Sequence, residues 1–274
     1  GGGNSTLGRV CADATALPRL TCAYHAYDDR SWTHFSLKMA DAISKAETPY
    51  IVNLAEDDFC LPTGLRRAVG FLEANDDYSC CGGRVTNFVV GTKPPVAGLN
   101  SVVGNWFSVY DVQPFSRAAD HPEDTAQERI LNQLKDYAYT YLSVCRRDDA
   151  VRAFGELAAS GITDSQLWDM FINAAILGPG KCKFERSCTY YVRQRGNSVT
   201  WIDHEGRSDI SSHSSLAWNF FARLVEDGWH RDFAAFTNRL ADTVAEADGV
   251  ARDGITAAIR PIMADFFRRI EHGE

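Results

Sequence analysis

Apolar residues recur at helical spacing from Trp32 to Ala46, where Phe35, Met39, Ala42, Ile43 and Ala46 share one face. Thr48-Pro49 ends that helix, because a residue before proline avoids the α region. Tyr50 to Leu54 is a short apolar run of β-formers and predicts a buried strand. Pro62 opens a second helix with Leu65, Val69 and Leu72 on one face, ending near Asn75. Ser79 to Gly82 and Val85 to Val90 read as two strands around a Gly-Gly turn, residues 91–104 as a surface loop, and Asn105 to Val112 as a strand. Thr125 with Glu128 forms a capping box for a helix through Gln133, and aromatic and β-branched residues make Tyr137 to Cys145 another strand. Helices follow at Asp148–Ala158 and Ser165–Leu177. Gly178-Pro179-Gly180 breaks the second, and Lys181 to Arg193 reads as a strand. From Ser214 the pattern is helical throughout: Leu216–Val225, Phe233–Ala245 and Ile255–Ile270. The order predicts an α/β domain over residues 1–205, with a mixed sheet and flanking helices, and a C-terminal helical region over 206–274.

Composition narrows the function classes. The 274 residues carry 28 Lys+Arg against 36 Asp+Glu, a net charge of −8, which is the wrong balance for neutralising nucleic-acid phosphates. No apolar run reaches the ~20 residues of a membrane span, and the first residues have no secretory signal pattern, so a cytoplasmic location is expected. Eight cysteines are scattered without a C-x-x-C pair. That spacing predicts buried free thiols in a reducing compartment rather than a zinc site, with Cys80-Cys81 on the inner edge of a strand.

The candidate chemistry begins at Glu56-Asp57-Asp58, directly after the strand Tyr50–Leu54. Open α/β sheets bind ligands beyond the carboxyl ends of their strands. Three successive carboxylates repel one another, and a divalent cation with a taste for hard oxygen ligands, Mn²⁺ or Mg²⁺, relieves the repulsion. A metal so held can bridge a diphosphate and neutralise its charge. The same residues also read as a solvated acidic turn with Asp58 capping the next helix.

The wider context carries a resemblance. Phe35-x-x-Lys38-Met39-x-x-Ala42-Ile43, Thr48-Pro49-Tyr50-Ile51-Val52, Ala55-Glu56-Asp57-Asp58-Phe59-x-x-Pro62-x-Gly64-Leu65, Phe71-Leu72-Glu73-x-Asn75-x-Asp77-Tyr78 and Gly82-Gly83 resemble nucleotide-sugar glycosyltransferases of the GT-A fold. The match is to the bacterial and archaeal branch of the large inverting family with an Asp-Asp-Asp-Phe metal motif. Asp164-x-x-Leu167-x-Asp169, Gly180-Lys181 and Tyr191-x-Arg193-Gln194 look like its acceptor-side and strand motifs. The resemblance covers roughly residues 30–200. It implies a GT-A-like, Rossmann-like sheet in which Asp58 is the direct metal ligand, Asp57 faces the nucleotide, and Glu56 replaces the usual first Asp with a longer arm. It also implies a first strand unit that holds the nucleotide base, for which this sequence offers no match.

The resemblance further implies an inverting transfer, in which a carboxylate takes the proton of the acceptor hydroxyl. Asp164 is the candidate base, with Asp169 in reserve; Asp164 at a helix start also reads as an N-cap. Arg193 and Arg195 are candidates to neutralise the diphosphate, since guanidinium forks match phosphate oxygens, and Lys38 could reach a phosphate. Each of the three also reads as a surface charge. His204 is a candidate third metal ligand, or a solvated loop histidine. Trp106, Trp168 and Trp201 could stack on a sugar or fill a core. The donor would be a nucleotide sugar and the acceptor a glycan, a lipid-linked sugar or a protein. The aromatic residues of the tail suit a dimer surface, an acceptor or peripheral membrane attachment. Two other classes stay open: a nucleotidyltransferase, which needs a Gly-rich phosphate loop that Gly1-Gly2-Gly3 is too short to supply, and a degenerate, non-catalytic binding or assembly module, which Glu56 favours.

Overall fold

The structure, a computed structural model, describes residues 8–9, 11, 21–27, 32–55, 58–91, 106–110, 119–195 and 227–272. Six strands form one mixed sheet: β1 (Tyr50–Val52), β2 (Phe59–Cys60), β3 (Tyr78–Gly91), β4 (Trp106–Tyr110), β5 (Val144–Arg146) and β6 (Lys181–Arg195). The helices are α1 (Trp32–Ser44), α2 (Pro62–Ala74), α3 (Ala126–Lys135), α4 (Arg147–Ser160), α5 (Ser165–Ala175), α6 (Asp227–Asp248) and α7 (Arg252–His272). The expected α/β class is the observed one. The expected helix Leu216–Val225 lies outside the described residues.

The strand order is β1-β5-β3-β6-β2, with β4 also on β3. β6 runs parallel to β3 along nearly all of it, from Tyr78↔Lys181 to Val89↔Arg195. That leaves the other edge of β3 to be shared: β5 pairs at Cys80 and Cys81, and β4 pairs antiparallel from Asn87 to Gly91. The parallel β3–β6 pair requires a crossover, and α3, α4 and α5 supply it.

Strand alternation sorts the core into two layers. Cys80, Cys145, Cys182 and Phe184 face a large layer made by α1 and by α3 through α7. Cys81 and Val144 face a smaller one under α2, with Ala68 and Leu72. The adjacent pair Cys80-Cys81 therefore contributes one thiol to each layer, as a strand interior should. Cys145, Cys80 and Cys182 stand in register across β5, β3 and β6. Burial pushes the Cys182 thiol up, and burial together with the Glu185 charge pushes Cys81 up to about 12, so these are inert packing thiols.

Three expectations are corrected. Gly82-Gly83 is not a turn: β3 runs straight through it. A β-carbon on Gly82 would lie 2.5 Å from Ser143 Oγ and 3.1 Å from the Phe184 ring, so glycine serves close approach here rather than chain reversal. Tyr137–Cys145 is not one strand. It contains a 3₁₀ turn at Thr140–Leu142, and only Val144–Arg146 joins the sheet. The side chains of Gln133, bonded to Ala138 O at 2.6 Å, and Asn173 take up the backbone groups that a ladder would have used. Finally, the strand ahead of the acidic cluster is half-buried rather than buried. It is three residues long and stands at the end of the strand order, antiparallel to β5, and Leu54 is 50% exposed.

The helices of residues 227–272 share the large core: Phe236, Leu240, Val244, Ile255, Ile259 and Met263 pack in the same cluster as Phe154, Phe171 and Ile172. α6 also holds the starts of two other helices. Its last residue, Asp248, accepts from Ala126 N at 2.8 Å and Gln127 N at 2.7 Å at the start of α3, beside the expected Thr125–Glu128 cap. Near its beginning, Asp232 accepts from Thr163 N and Asp164 N, the two residues just ahead of α5.

Candidate functional site

β1 delivers the chain to Asn53, whose amide donates to Tyr141 O at 3.0 Å and ties the strand end to the 3₁₀ turn. Glu56 and Asp57 lie outside the described residues; Asp58 is described and 7% exposed. Its N–H donates to Ala55 O at 3.2 Å. It does not cap the following helix: Leu61 stands at the N-cap of α2 and Pro62 opens it.

The short strand β2, absent from the sequence reading, follows Asp58 immediately. Phe59 pairs with Val192 and Cys60 with Tyr191, antiparallel. One step further along that register, Asp58 stands at the level of Arg193. The backbone thus brings the acidic segment and the candidate arginine strand together. Arg193 and Arg195 are both in β6, opposite Asn87 and Val89 of β3. Their side chains, like His204 and Trp201 as a whole, lie outside the described residues.

The second group of candidates is on α5. Asp164 caps that helix: Leu167 N donates to its Oδ1 at 3.0 Å, the bond expected of an N-cap aspartate. Asp164 N in turn donates to Asp232 Oδ2 at 2.8 Å. Asp169, one and a half turns on, accepts through Oδ2 from the Tyr137 hydroxyl. Burial, then the Asp169 charge, pushes the Tyr137 phenol well above its ordinary value, which keeps it a donor.

A buried asparagine joins the two groups. Asn173 is fully buried; its Oδ1 accepts from Tyr141 N at 3.1 Å and Thr140 Oγ1 at 3.2 Å. Its Nδ2 donates to Tyr137 Oη at 2.7 Å and Asp169 O at 2.8 Å. A continuous path therefore runs from Asn53 through Tyr141, Asn173 and Tyr137 to Asp169. Asn53, Tyr137, Asn173 and Asp232 were all missed from sequence. A polar residue inside the apolar run Met170 to Leu177 was a usable signal for Asn173; Asp232 had none.

Lys38 sits on α1 with its ammonium 4.6 Å from the Phe35 ring centroid. Phe35 packs on Trp168 at 5.3 Å, and Trp168 Nε1 donates to Ser36 Oγ at 2.8 Å. Trp168 is thus a core residue joining α1 to α5. Of the tail aromatics, Phe236 is core and Phe233 is half-buried against it. Trp218, Phe220 and Phe221, and the side chains of Trp229, Phe266 and Phe267, lie outside the described residues.

A cleft of about 590 Å³ lies elsewhere, lined by Asp77, Arg152, Lys181 and Glu246 among others, and by none of the candidates. Two of its cations are committed: Lys181 pairs with Asp77 at 3.1 Å and Asp124 at 2.9 Å, and Arg129 donates to the carbonyls of Glu123, Asp124, Leu177 and Gly178. Among the described residues no three His, Cys, Asp or Glu side chains are placed to hold a metal, and no helix is long and apolar enough to cross a membrane.

No protein-family model matches the chain, and no curated protein does. Among solved structures, S. aureus TarS is similar over 85% of this chain and 41% of its own, at 14% identity and a TM-score of 0.31. TarS 1–349 in complex with UDP-GlcNAc is similar over 85% of this chain and 69% of its own, at 14% identity and a TM-score of 0.33. The chain thus spans less than half of the first TarS chain, and superpositions this loose transfer neither a site nor an activity.

Proposed function

We propose that the chain is a metal-dependent, inverting glycosyltransferase of GT-A type that moves a sugar from a nucleotide-diphosphate sugar to a glycan, lipid-linked or protein acceptor. The observation that supports it is the β2–β6 register, which sets Asp58, the last of three acids after a strand, level with Arg193. An acidic and a basic residue type at one level of paired strands are the types that a metal-bound nucleotide diphosphate requires.

In this reading Asp164 takes the proton of the acceptor hydroxyl as its oxygen attacks the anomeric carbon from the face opposite the diphosphate. Asp169, oriented by Tyr137, is the second carboxylate. Arg193, Arg195 and Lys38 neutralise the departing diphosphate, and Glu56 and Asp57 face the nucleotide. The hard oxygen of Asp58 fits Mn²⁺ or Mg²⁺, and Glu56 and His204 would complete the ligand set. Bound there, the ion would supply charge neutralisation for the leaving group.

The test is a hydrolysis and transfer screen over nucleotide sugars with Mn²⁺, beginning with UDP-GlcNAc. Turnover that Asp58→Ala and Asp164→Ala each abolish supports the reading. A chain that neither turns over a donor nor binds UDP or GDP in calorimetry overturns it. One observation favours a second reading, a non-catalytic binding or assembly module: Asp164 Oδ1 is already engaged in capping α5. Metal-dependent nucleotide binding without turnover would select it.

A further inference from the structure

The start of α5 is held from outside its own segment. A helix N-terminus leaves backbone N–H groups without partners, and a capping side chain ordinarily meets one or two of them. Here Asp164 supplies that cap, and Asp232 then holds the cap itself. Asp232 Oδ2 accepts from Thr163 N at 2.9 Å, Thr163 Oγ1 at 2.8 Å and Asp164 N at 2.8 Å. Its Oδ1 accepts from Arg231 Nε and Nη2, each at 3.2 Å. The residue is 2% exposed, though its Arg231 partner is largely in solvent.

A buried carboxylate oxygen with three donors, two of them backbone N–H groups of consecutive residues, fixes a backbone position more tightly than an ordinary cap does. Helix capping alone does not need it, since Asp164 already satisfies Leu167 N.

We infer that Asp232 is a positioning residue for the transfer reaction: it acts through Asp164, holding the proposed base at the height where it meets the acceptor hydroxyl. This rests on the glycosyltransferase reading and deepens it. It assigns to α6 (Asp227–Asp248) a part in the chemistry of a site built otherwise from residues before 205.

The experiment compares the wild-type chain with Asp232→Ala, Asp232→Asn, Asp164→Ala and the double variant Asp232→Ala/Asp164→Ala, using the donor found in the screen. A displacement of about 1 Å at a reacting group costs about 10²-fold, so Asp232→Ala lowers kcat by about that factor with donor KM within about twofold. Asparagine keeps one acceptor oxygen of the same reach, so Asp232→Asn restores most of the lost rate. In the Asp164→Ala background, Asp232→Ala lowers the residual rate no further, the mark of two residues acting as one unit. Should Asp232→Ala fail to fold, the Asparagine variant and Thr163→Ala carry the kinetic comparison in its place, with Thr163→Ala lowering kcat about tenfold.

The proposal is overturned if Asp164→Ala abolishes turnover while a folded Asp232→Ala keeps wild-type kcat, or if the two losses add in the double variant. The underlying reading fails in a different way: Asp164→Ala keeps full activity, or the wild-type chain acts on no donor, and either result takes the positioning role down with it.

Discussion

The two carboxylate-bearing segments are held by opposite means. Asp58 is placed by backbone ladders: β1 on β5 before it and β2 on β6 after it, with pairings set by strand register. Asp164 is placed by side chains, and the decisive one is Asp232, 68 residues away along the chain. A ladder fixes height along a strand but tolerates many side chains. A buried carboxylate clamp fixes one backbone position and tolerates almost none. The comparison teaches that one carboxylate-bearing segment can take its place from repetitive backbone pairing, whereas the other depends on a single distant side chain.

The largest effect should come from the ladder-held side. Asp58→Ala is expected to cut donor turnover about 10³-fold, the scale of losing one charge-stabilising group; an unchanged rate would break the comparison at its chemical end. Next is the link between the two segments. Asn173→Leu removes the acceptor for Tyr141 N and the donor to Tyr137, while Thr140 Oγ1 keeps its bond to the Asn173 carbonyl. The expected loss of stability is about 3 kcal/mol, from buried polar groups left without partners, read as a fall in the urea midpoint.

A smaller effect sharpens the clamp side. Asp248→Ala deprives Ala126 N and Gln127 N of their acceptor, and should cost about 1 kcal/mol of stability with kcat unaltered. A kcat loss like that of the Asp232 variants would show that the clamp at α5 is nothing special.

The smallest effect is a pH dependence remote from both segments. His121 is buried beside Glu123, at 3.9 Å, and Gln133, and burial holds its imidazole below the ordinary 6.5. The unfolded chain therefore takes up the proton first as pH falls, so this residue's contribution is lost progressively below about 6.5 and is fully present above it. Urea titrations should show a flatter stability profile between pH 6.5 and 5 for His121→Gln than for wild type. Parallel profiles would remove His121 from the acid response.

Much of the scaffold was legible because periodic burial leaves a periodic mark. α1, α2, α4 and α5 each show an apolar face in sequence, and the Thr125–Glu128 cap announces α3. The illegible parts share a physical cause. Gly82 reads as a turn because its backbone freedom is visible locally, whereas Ser143 and Phe184, which demand its small size, come from distant segments. The 3₁₀ turn at Thr140 forms because Asn173, 33 residues on, accepts its polar groups. At the candidate site, Asp164 was legible as a cap since the Thr-Asp-Ser step precedes an apolar helix. Asp232 was not, because nothing around it in Arg231-Asp232-Phe233 distinguishes a buried clamp from an exposed charge.

α6 carries its two capping carboxylates sixteen residues apart, roughly 24 Å along a helix axis. Asp248 grips the first turn of α3, and Asp232 grips the two residues that lead into α5. Such a strut, pinned at both tips, cannot slide along its own length without dragging both anchor points the same way. Thermal sway of α3 and α5 is therefore yoked, and a chain ended before residue 232 would lose both anchor points at once.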